Sequence, residues 1–582
     1  MCGILFTCKP IYEKKDHHNP SFDSAYERLK AANAARGPDA QDTVQVSLGQ
    51  MTLSFFGSEL RLRGYQNVSQ PHRDDQGNIM CWNGEIFEGL EVAPEENDGV
   101  KLFDTLRNLE TVQDVRTALG KIEGPYAIVF YHAKTRKLLF ARDPLGRRSL
   151  LVHKPTQEHP YLILASVSAG TDPLYAFDEL STIGFFVLDI ERLGLGDIIS
   201  AWESTSLLPR APVGERYHFA GLSKINANLP NDPPMVSDID HIPEHLCASV
   251  DQLVAHLEDS VRLQVCNIPI VHGELGQARI AVLFSGGIDS TIIAYLASLH
   301  ADPNEPIDLL NVAFENPRKI LVQEEGNLYA LQKRERKQKM KARLDYSTIT
   351  VKYDVPDRVT GRQELEELRR LCPDRTWNFV EINVPFEEYE AARPIIEALM
   401  LPGRTVMDLS LAAALYFAAR GIGEVRRSMD AEPLPYTSPA RVLLNGLGSD
   451  ELLGGYGRFR TAYKAKGWEA IIDELQLELD RIPTRNLGRD DRVISSHGKE
   501  TRHPFLSLSV VSFLARLPVH MKLDPRLETG LGEKMLLRLA ANKVGLCEAA
   551  KRKKRAMQFG SHSARMAPGD EDRKGDRILP VA

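Results

Sequence analysis

The chain has no uninterrupted apolar stretch of the roughly 18 to 20 residues that a membrane span requires, and no basic segment followed by a long apolar one after Met1. Neither a membrane-spanning protein nor a secretory leader is expected. Cysteine is sparse. The seven residues Cys2, Cys8, Cys81, Cys247, Cys266, Cys372 and Cys547 are odd in number, scattered, and lack metal-ligand spacing. That argues against a disulfide scaffold or a cysteine-rich metal module and fits a reduced, cytoplasmic compartment. Charge of one sign is also missing: 72 Lys and Arg face 79 Asp and Glu, a net −7. This mild acidic balance gives no handle for nucleic acid or for an anionic membrane. What remains is a chain of 582 residues with an ordinary 43% hydrophobic content. It is too long for one core, so roughly two to four domains are expected, with a homo-oligomer left open.

The most telling stretch is Ala281-Val-Leu-Phe-Ser-Gly-Gly-Ile-Asp-Ser-Thr291. Ala281 to Phe284 predict a buried strand, Ser285-Gly286-Gly287 a turn, and Thr291 to Leu296 the start of a helix packed on a sheet. A Gly-rich turn between strand and helix aims backbone N–H groups and the positive end of the helix dipole at one spot, which suits a phosphate. Ser285 and Ser290 can add donors. Asp289 repels a phosphate, so its expected task is to hold a magnesium ion that accepts one. No lysine follows the glycines, so this is not the common Gly-x-x-x-x-Gly-Lys-Ser/Thr loop. It resembles the Ser-Gly-Gly-x-Asp-Ser pyrophosphate loop of enzymes that adenylate a carboxylate with ATP.

The N-terminal part has a different character. Loss of Met1 would leave Cys2 with a free α-amine, whose pKa near ~8 lets it act as a base for its own thiol. Gly3 to Phe6 predict a buried strand. Arg36-Gly37-Pro38-Asp39 reads as a polar turn. Leu60 to Gly64 alternate like a strand with Arg61 and Arg63 on one face, Trp82 to Phe87 read as a turn, and Asn97-Asp98-Gly99 as an acidic loop. Further strands are expected at Tyr126 to Phe130, Leu138 to Arg142 and across Ala165 to Asp189, with a Gly-rich turn at 194–196. From about Ser204 to Pro243 prolines accumulate without a period, which predicts a linker lying against two modules.

Beyond it, Leu253, Val254, Leu257, Val261 and Val265 share one side of a helix. Ile307 to Phe314 read as the next parallel strand, so the second module is expected to be a doubly wound sheet. Residues 318–343 are strongly charged and read as a solvated insertion in preference to a partner loop. Asp357 to Gly361 predict a turn before a helix at Leu365 to Leu371, with a strand at Phe379 to Val384 and a helix at Leu409 to Ala419. Val442 to Leu444 lead into a second Gly-rich turn, Asn445-Gly446-Leu447-Gly448-Ser449-Asp450. There Asp450 is placed to share a metal with Asp289 across the crevice. The basic run Lys551 to Arg555 precedes Met557-Gln558-Phe559-Gly560, and the tail from 562 is polar enough to be disordered.

Cys2, Arg63, Asn83-Gly84, Asp98 and the strand-rich pattern, in this order, resemble the class-II glutamine amidotransferase domain. That resemblance implies an N-terminal αββα sandwich that hydrolyses glutamine. Cys2 matches the nucleophile, Asn83 and Gly84 the oxyanion donors, and Arg63 the clamp on the glutamine α-carboxylate, with Arg61 as an alternative register. Asp98 matches the acid that holds the α-ammonium, and Glu85 joins the glutamine-binding set. The second module resembles the synthetase domain of glutamine-dependent asparagine synthetases, and the Leu60 to Gly64 and Arg555 to Gly560 stretches suit one eukaryotic branch of that family. The implied domains are 2–203, a linker 204–245, an ATP pyrophosphatase domain 246–561 and a tail 562–582. The implied ATP site is Leu283, Ser285, Gly286, Gly287, Asp289, Ser290, Gly446 and Gly448, with Mg²⁺ on Asp289 and Asp450. Lys554 matches the lysine that stabilises developing phosphate charge, with Lys553 and Arg555 as rival registers. The implied reaction converts glutamine, ATP and aspartate to asparagine, AMP and pyrophosphate. One position departs: Leu447 stands where the family has a glutamate thought to assist ammonia attack. This leaves open another carboxylate as acceptor, or a weakly catalytic ATP-binding scaffold.

Overall fold

The computed structural model describes residues 2–11, 20–193, 197–211, 219–270, 276–315, 353–426, 431–566 and 576–579. The turn at 194–196 and the charged insertion 318–343 lie outside them. Among the described residues no helix is long and apolar enough to cross a membrane.

The first module stacks two antiparallel sheets. One runs β10 (Asp178–Glu179), β8 (Leu151–His153), β9 (Leu162–Ala165), β1 (Gly3–Pro10), β3 (Met51–Glu59), β2 (Ala40–Leu48). The other runs β12 (Ser206–Pro209), β11 (Gly184–Asp189), β7 (Lys137–Arg142), β6 (Tyr126–His132), β5 (Ile79–Gly84), β4 (His72–Arg73). Alternation along β1 decides the layering. Ile4, Phe6 and Cys8 point between the sheets and meet Ile79, Cys81, Ala127 and Val129. Leu5 points outward and is covered by Phe22, Ala25 and Leu29 of α1 (Pro20–Ala34). On the opposite outer face α2 (Asp98–Leu106) and α3 (Val112–Leu119) lay Leu102, Phe103, Val115 and Leu119 on Met80, Trp82 and Ile128. The order helix, sheet, sheet, helix is the αββα sandwich expected from the resemblance.

Local readings needed correction here. Leu60 to Gly64 is not a strand: β3 ends at Glu59, and both Leu60 and Leu62 are buried against the second module. Trp82 to Gly84 close strand β5 instead of forming a turn. Asp98 is not in a solvated loop. The Asn97 side chain accepts from Val100 N and caps α2, which draws Asp98 into a buried first turn. The proline-rich segment begins later than 204, because Ser206–Pro209 pair with β11.

The second module is a seven-stranded sheet ordered β17 (Leu434–Thr437), β16 (Ile422–Val425), β15 (Trp377–Val384), β14 (Ile307–Phe314), β13 (Ile280–Leu283), β18 (Val442–Leu444), β19 (Glu500–Arg502). Strands β15 through β19 in this order are parallel, and β16 and β17 form an antiparallel edge. Both faces are covered, so the strands are apolar throughout. Val282 and Leu309 meet α6 (Glu244–Val265) and α7 (Ile288–His300), while Ala281 and Leu310 meet the helices Phe386–Met400 and Val406–Arg420. The chain runs outward from β13 to β14 and β15, then returns to the other side of β13 as β18. The crevice at such a reversal is where open α/β sheets bind ligands. Asp357 to Gly361 do not form a separate turn: Pro356 starts a helix that continues to Leu371, a position where its missing N–H costs nothing.

The linker contacts both modules. Ala220 approaches Gly120, while Ile225, Val236 and Ile239 join the core of the second module. The tail is not loose throughout. Val406 N donates to Arg577 O, Leu579 N to Arg404 O, and Leu579 is buried, so these backbone pairs hold residues 577–579 on the second module.

Candidate functional site

Strand β1 begins at Gly3, so Cys2 sits where the first sheet meets the end of β5. Cys2 is buried, and its backbone N donates to Asn83 Oδ1 at 3.0 Å. Removal of Met1 would make that nitrogen an α-amine, already in contact with Asn83. With its oxygen engaged, Asn83 leaves Nδ2 buried and without a partner among the described residues. An unpaired buried donor is costly and is what an oxyanion site requires before substrate arrives. Burial pushes the Cys2 thiol up to about 11, with the chain's terminal ammonium working against it. The thiol therefore holds its proton at neutral pH and needs an acceptor for it.

Beside it lies a buried charge cluster. Arg63 Nε donates to Glu85 Oε2 at 2.9 Å and Arg63 Nη2 to Ile86 O at 3.3 Å. Asp98 accepts from Ile86 N and Gly99 N, both at 2.9 Å, and burial together with Glu85 pushes its carboxyl up to about 7. A guanidinium next to two carboxylates fits a zwitterion, with its carboxylate on Arg63 and its ammonium on Asp98 and Glu85. Arg61 turns away, donating to Tyr65 O, so the structure brings Arg63 and not Arg61 to the cluster.

The second site forms at the crevice. Gly286 has φ +73°, and a Cβ there would come within 2.4 Å of Gly361 N. Glycine is therefore required both by conformation and by the close helix. Ser285 Oγ accepts from Gly287 N at 3.3 Å, and Ser290 Oγ donates to Gly287 O at 3.1 Å. Leu283 ends β13 beside this turn. Gly446 and Gly448 belong to the facing loop. A Cβ on Gly446 would lie 2.9 Å from Asp289 Cβ, and Gly448 has φ +101°. The two loops thus touch, and Asp289 and Asp450 converge.

The cation between them was not anticipated. Lys534 Nζ lies 2.6 Å from Asp289 Oδ2, 2.8 Å from Asp450 Oδ1 and 3.0 Å from Ser449 Oγ. Lys554 Nζ adds a second contact, 3.0 Å from Asp450 Oδ2 and 3.9 Å above the Tyr456 ring. Burial raises the Asp450 carboxyl, but these two lysines outweigh it and hold the group below its usual range. Of the rival registers, Lys553 packs near Gly530 and Arg555 acts on Asp357, so Lys554 is the one that meets Asp450. Asp289 Oδ1 is buried without a partner among the described residues. Such an oxygen fits a divalent cation. No group of three or more His, Cys, Asp or Glu gathers among the described residues, so the two carboxylates would share that ion with ligand oxygens and water.

The two sites are joined through β19. Arg502 Nη2 stands 3.6 Å from Glu85 Oε2, and the carbonyl of the same residue accepts from Asn445 N at 2.9 Å. Around this link Arg36 pairs with Asp491 at 2.8 Å, Arg148 with Glu500 at 2.8 Å and Arg147 with Glu123 at 2.8 Å, all buried. Arg36 was legible only as part of a polar turn, and Lys534 carried no motif. For Lys534 the sequence offers only the pair Glu533-Lys534 directly before the apolar run that opens at Met535.

Leu447 is half-buried against the core cluster and lines a narrow cleft with Glu451, Glu478, Ile482 and Leu506. Glu451 and Glu478 are both buried, and burial raises the Glu451 carboxyl. Leu447→Glu would place a third carboxylate there. The expected outcome is a loss of roughly 2–4 kcal/mol, read as a lower thermal midpoint, with no increase in pyrophosphate release. A gain in release at unchanged stability would show that the leucine side chain is not seated in this cleft.

Comparison with known proteins finds two family domains in this chain. The sequence model of the glutamine amidotransferase domain matches residues 1–178, and that of asparagine synthase matches 274–473 and 463–573. The chain is 36% identical to asparagine synthetase domain-containing protein 1 of Bos taurus, over 98% of this chain and 97% of that one. It is 36% identical to the Homo sapiens protein of the same name, covering 97% and 95%. An asparagine synthetase domain-containing protein of Saccharomyces cerevisiae is 31% identical, covering 96% and 92%.

Proposed function

The chain belongs to the asparagine synthase family, with an N-terminal glutamine amidotransferase domain, and from that premise we propose that it cleaves glutamine at Cys2 and uses the nitrogen to amidate a carboxylate activated by ATP. The observation that carries the reading is Arg502, whose side chain touches the first site and whose carbonyl holds the loop of the second.

In the first site the α-amine of processed Cys2 takes the thiol proton, and sulfur attacks the δ-carbonyl of glutamine. The oxyanion meets Asn83 Nδ2 and the Gly84 backbone. Ammonia leaves with that proton, and water then releases glutamate from the γ-glutamyl thioester. Arg63, Glu85 and Asp98 hold the substrate's charged end. Ammonia passes between the modules along the Arg502 side.

In the second site Ser285, Gly286, Gly287 and Ser290 cradle the ATP phosphates. An acceptor carboxylate oxygen attacks the α-phosphorus, and pyrophosphate leaves. Lys534 and Lys554 face the charge that gathers on the leaving oxygens. A magnesium ion on Asp289 and Asp450 would supply further neutralisation of that charge. Ammonia attacks the acyl carbon, and amide and AMP are formed.

Aspartate, giving asparagine, is the acceptor that the family favours. Leu447 supports a second reading, a different carboxylate, since a general base there would contribute ~10²–10⁴ in rate and leucine supplies none. ATP–pyrophosphate exchange over a carboxylate panel separates them. Exchange with aspartate is expected. Exchange confined to another acid would replace the acceptor, and ATP binding without exchange for any acid would leave a scaffold.

A further inference from the structure

We propose that Gln70 is a positioning residue for Cys2, its side-chain amide fixing the sulfur and favouring the thiolate over the thiol. The assignment rests on the glutamine-cleaving reading of that site. Gln70 is buried. Its Oε1 accepts from Trp82 N at 2.8 Å, and its Nε2 donates to Cys2 Sγ at 3.2 Å. The orientation follows from the chemistry of the partners: a backbone N–H can only donate, so the oxygen must face Trp82 and the NH₂ must face sulfur. Gly57 closes the space behind, where a Cβ would come 2.6 Å from Gln70 Cβ. The amide is therefore held at one end and packed along its stem, with its donor aimed at the nucleophile. Trp82 and Asn83 are neighbours on β5, so one strand end fixes both the donor to sulfur and the oxyanion donor.

The groups facing the sulfur make this donor count. Glu59 and Asp98 disfavour the thiolate, and the buried Cys81 thiol is close enough to interact with it. The chain's terminal ammonium and the Leu60 N–H favour it. Arg36 donates to the Cys2 carbonyl at 3.3 Å and pairs with Asp491, so its charge is directed elsewhere. The terminal ammonium is the larger of the influences that favour the anion, and the Leu60 N–H and the Gln70 amide add neutral donors to it; a hydrogen bond to a charged acceptor is stronger than one to a neutral acceptor.

The test uses full-length protein from which Met1 has been removed, verified by intact mass. Removing Met1 brings the terminal ammonium onto Cys2 itself, which lowers the thiol from the value it has with Met1 in place, so iodoacetamide alkylation of Cys2 is followed by peptide mapping from pH 6 to 11, beside the pH profile of glutamine hydrolysis. Gln70→Glu keeps an oxygen for Trp82 and removes the donor, and Gln70→Met removes the donor without adding charge. Both are expected to move the alkylation midpoint up by about one to two pH units. At pH 7.5 alkylation should slow about tenfold or more. The acidic limb of kcat should shift by the same amount, with KM for glutamine little changed. A folded variant that loses activity equally at every pH with an unmoved midpoint would overturn the assignment. So would a shift in Gln70→Glu with none in folded Gln70→Met, since the effect would then be the added charge. If the wild type titrates by alkylation yet hydrolyses no glutamine, the functional reading fails while the midpoints still decide the role of Gln70.

Discussion

Cys2→Ala is expected to abolish glutamine-driven amide formation, by at least ~10³-fold, while ammonia-driven formation at high ammonium concentration stays near the wild-type rate. The alanine keeps the backbone nitrogen that donates to Asn83 Oδ1 and the start of β1, so the sandwich should fold unchanged. What disappears is the sulfur, the one group in the Asn83, Arg63, Glu85 and Asp98 cluster able to form an acyl bond. The second site shares no side chain with it. The contact between them is Arg502, which alanine at position 2 leaves in place. The measurement is amide and pyrophosphate formed per minute with glutamine or ammonium as nitrogen donor, at fixed ATP and acceptor. Loss of both rates together would mean that the modules do not work as two separable sites. Retention of the glutamine rate would mean that Cys2 is not the nucleophile.

Motifs whose chemistry depends on neighbours in sequence were legible. The strand–turn–helix around Ser285 to Ser290 is such a case, because a backbone cradle is built from consecutive residues. Asn83-Gly84 was legible as a pair but not in its place, since the stretch read as a turn closes strand β5. Partnerships made across the fold were not legible. Lys534 stands 245 positions from Asp289 in sequence, and nothing local marks a lysine that will end up between two carboxylates. Gln70 acts through Trp82 and Cys2, 12 and 68 residues away. The reading of Asp98 as a loop acid failed for a related reason: the cap at Asn97 and the apolar face of α2 pull that turn inside, which only the packing on Trp82 reveals. Leu60 to Gly64 misled in the opposite way. Its alternating pattern comes from burying Leu60 and Leu62 against another module, and no strand partner was involved.

Lys534→Met should lower ATP-dependent pyrophosphate release by about 10²–10³-fold while leaving glutamine hydrolysis within about twofold of wild type. Lys534 is almost fully buried and faces Asp289 and Asp450. Burial would lower its affinity for a proton, yet these two carboxylates outweigh that and hold its ammonium above the usual range. It is therefore charged at neutral pH. Methionine conserves the stem and removes the charge. Two partly buried carboxylates are then left facing each other, with Lys554 reaching only Asp450. Breaking a partly buried ion cluster in this way costs less than the ~3–5 kcal/mol of a fully buried one, and the thermal midpoint should fall. The same argument predicts a rescue: a divalent cation can replace the missing charge, so magnesium should raise the midpoint of Lys534→Met more than that of the wild type. Lys534→Arg keeps the charge but not the compact ammonium, and should keep stability better than turnover. Wild-type pyrophosphate release in a folded Lys534→Met protein would remove this lysine from the phosphate chemistry. A midpoint in Lys534→Met that magnesium does not raise beyond its effect on the wild type would show that Asp289 and Asp450 do not converge on one cation.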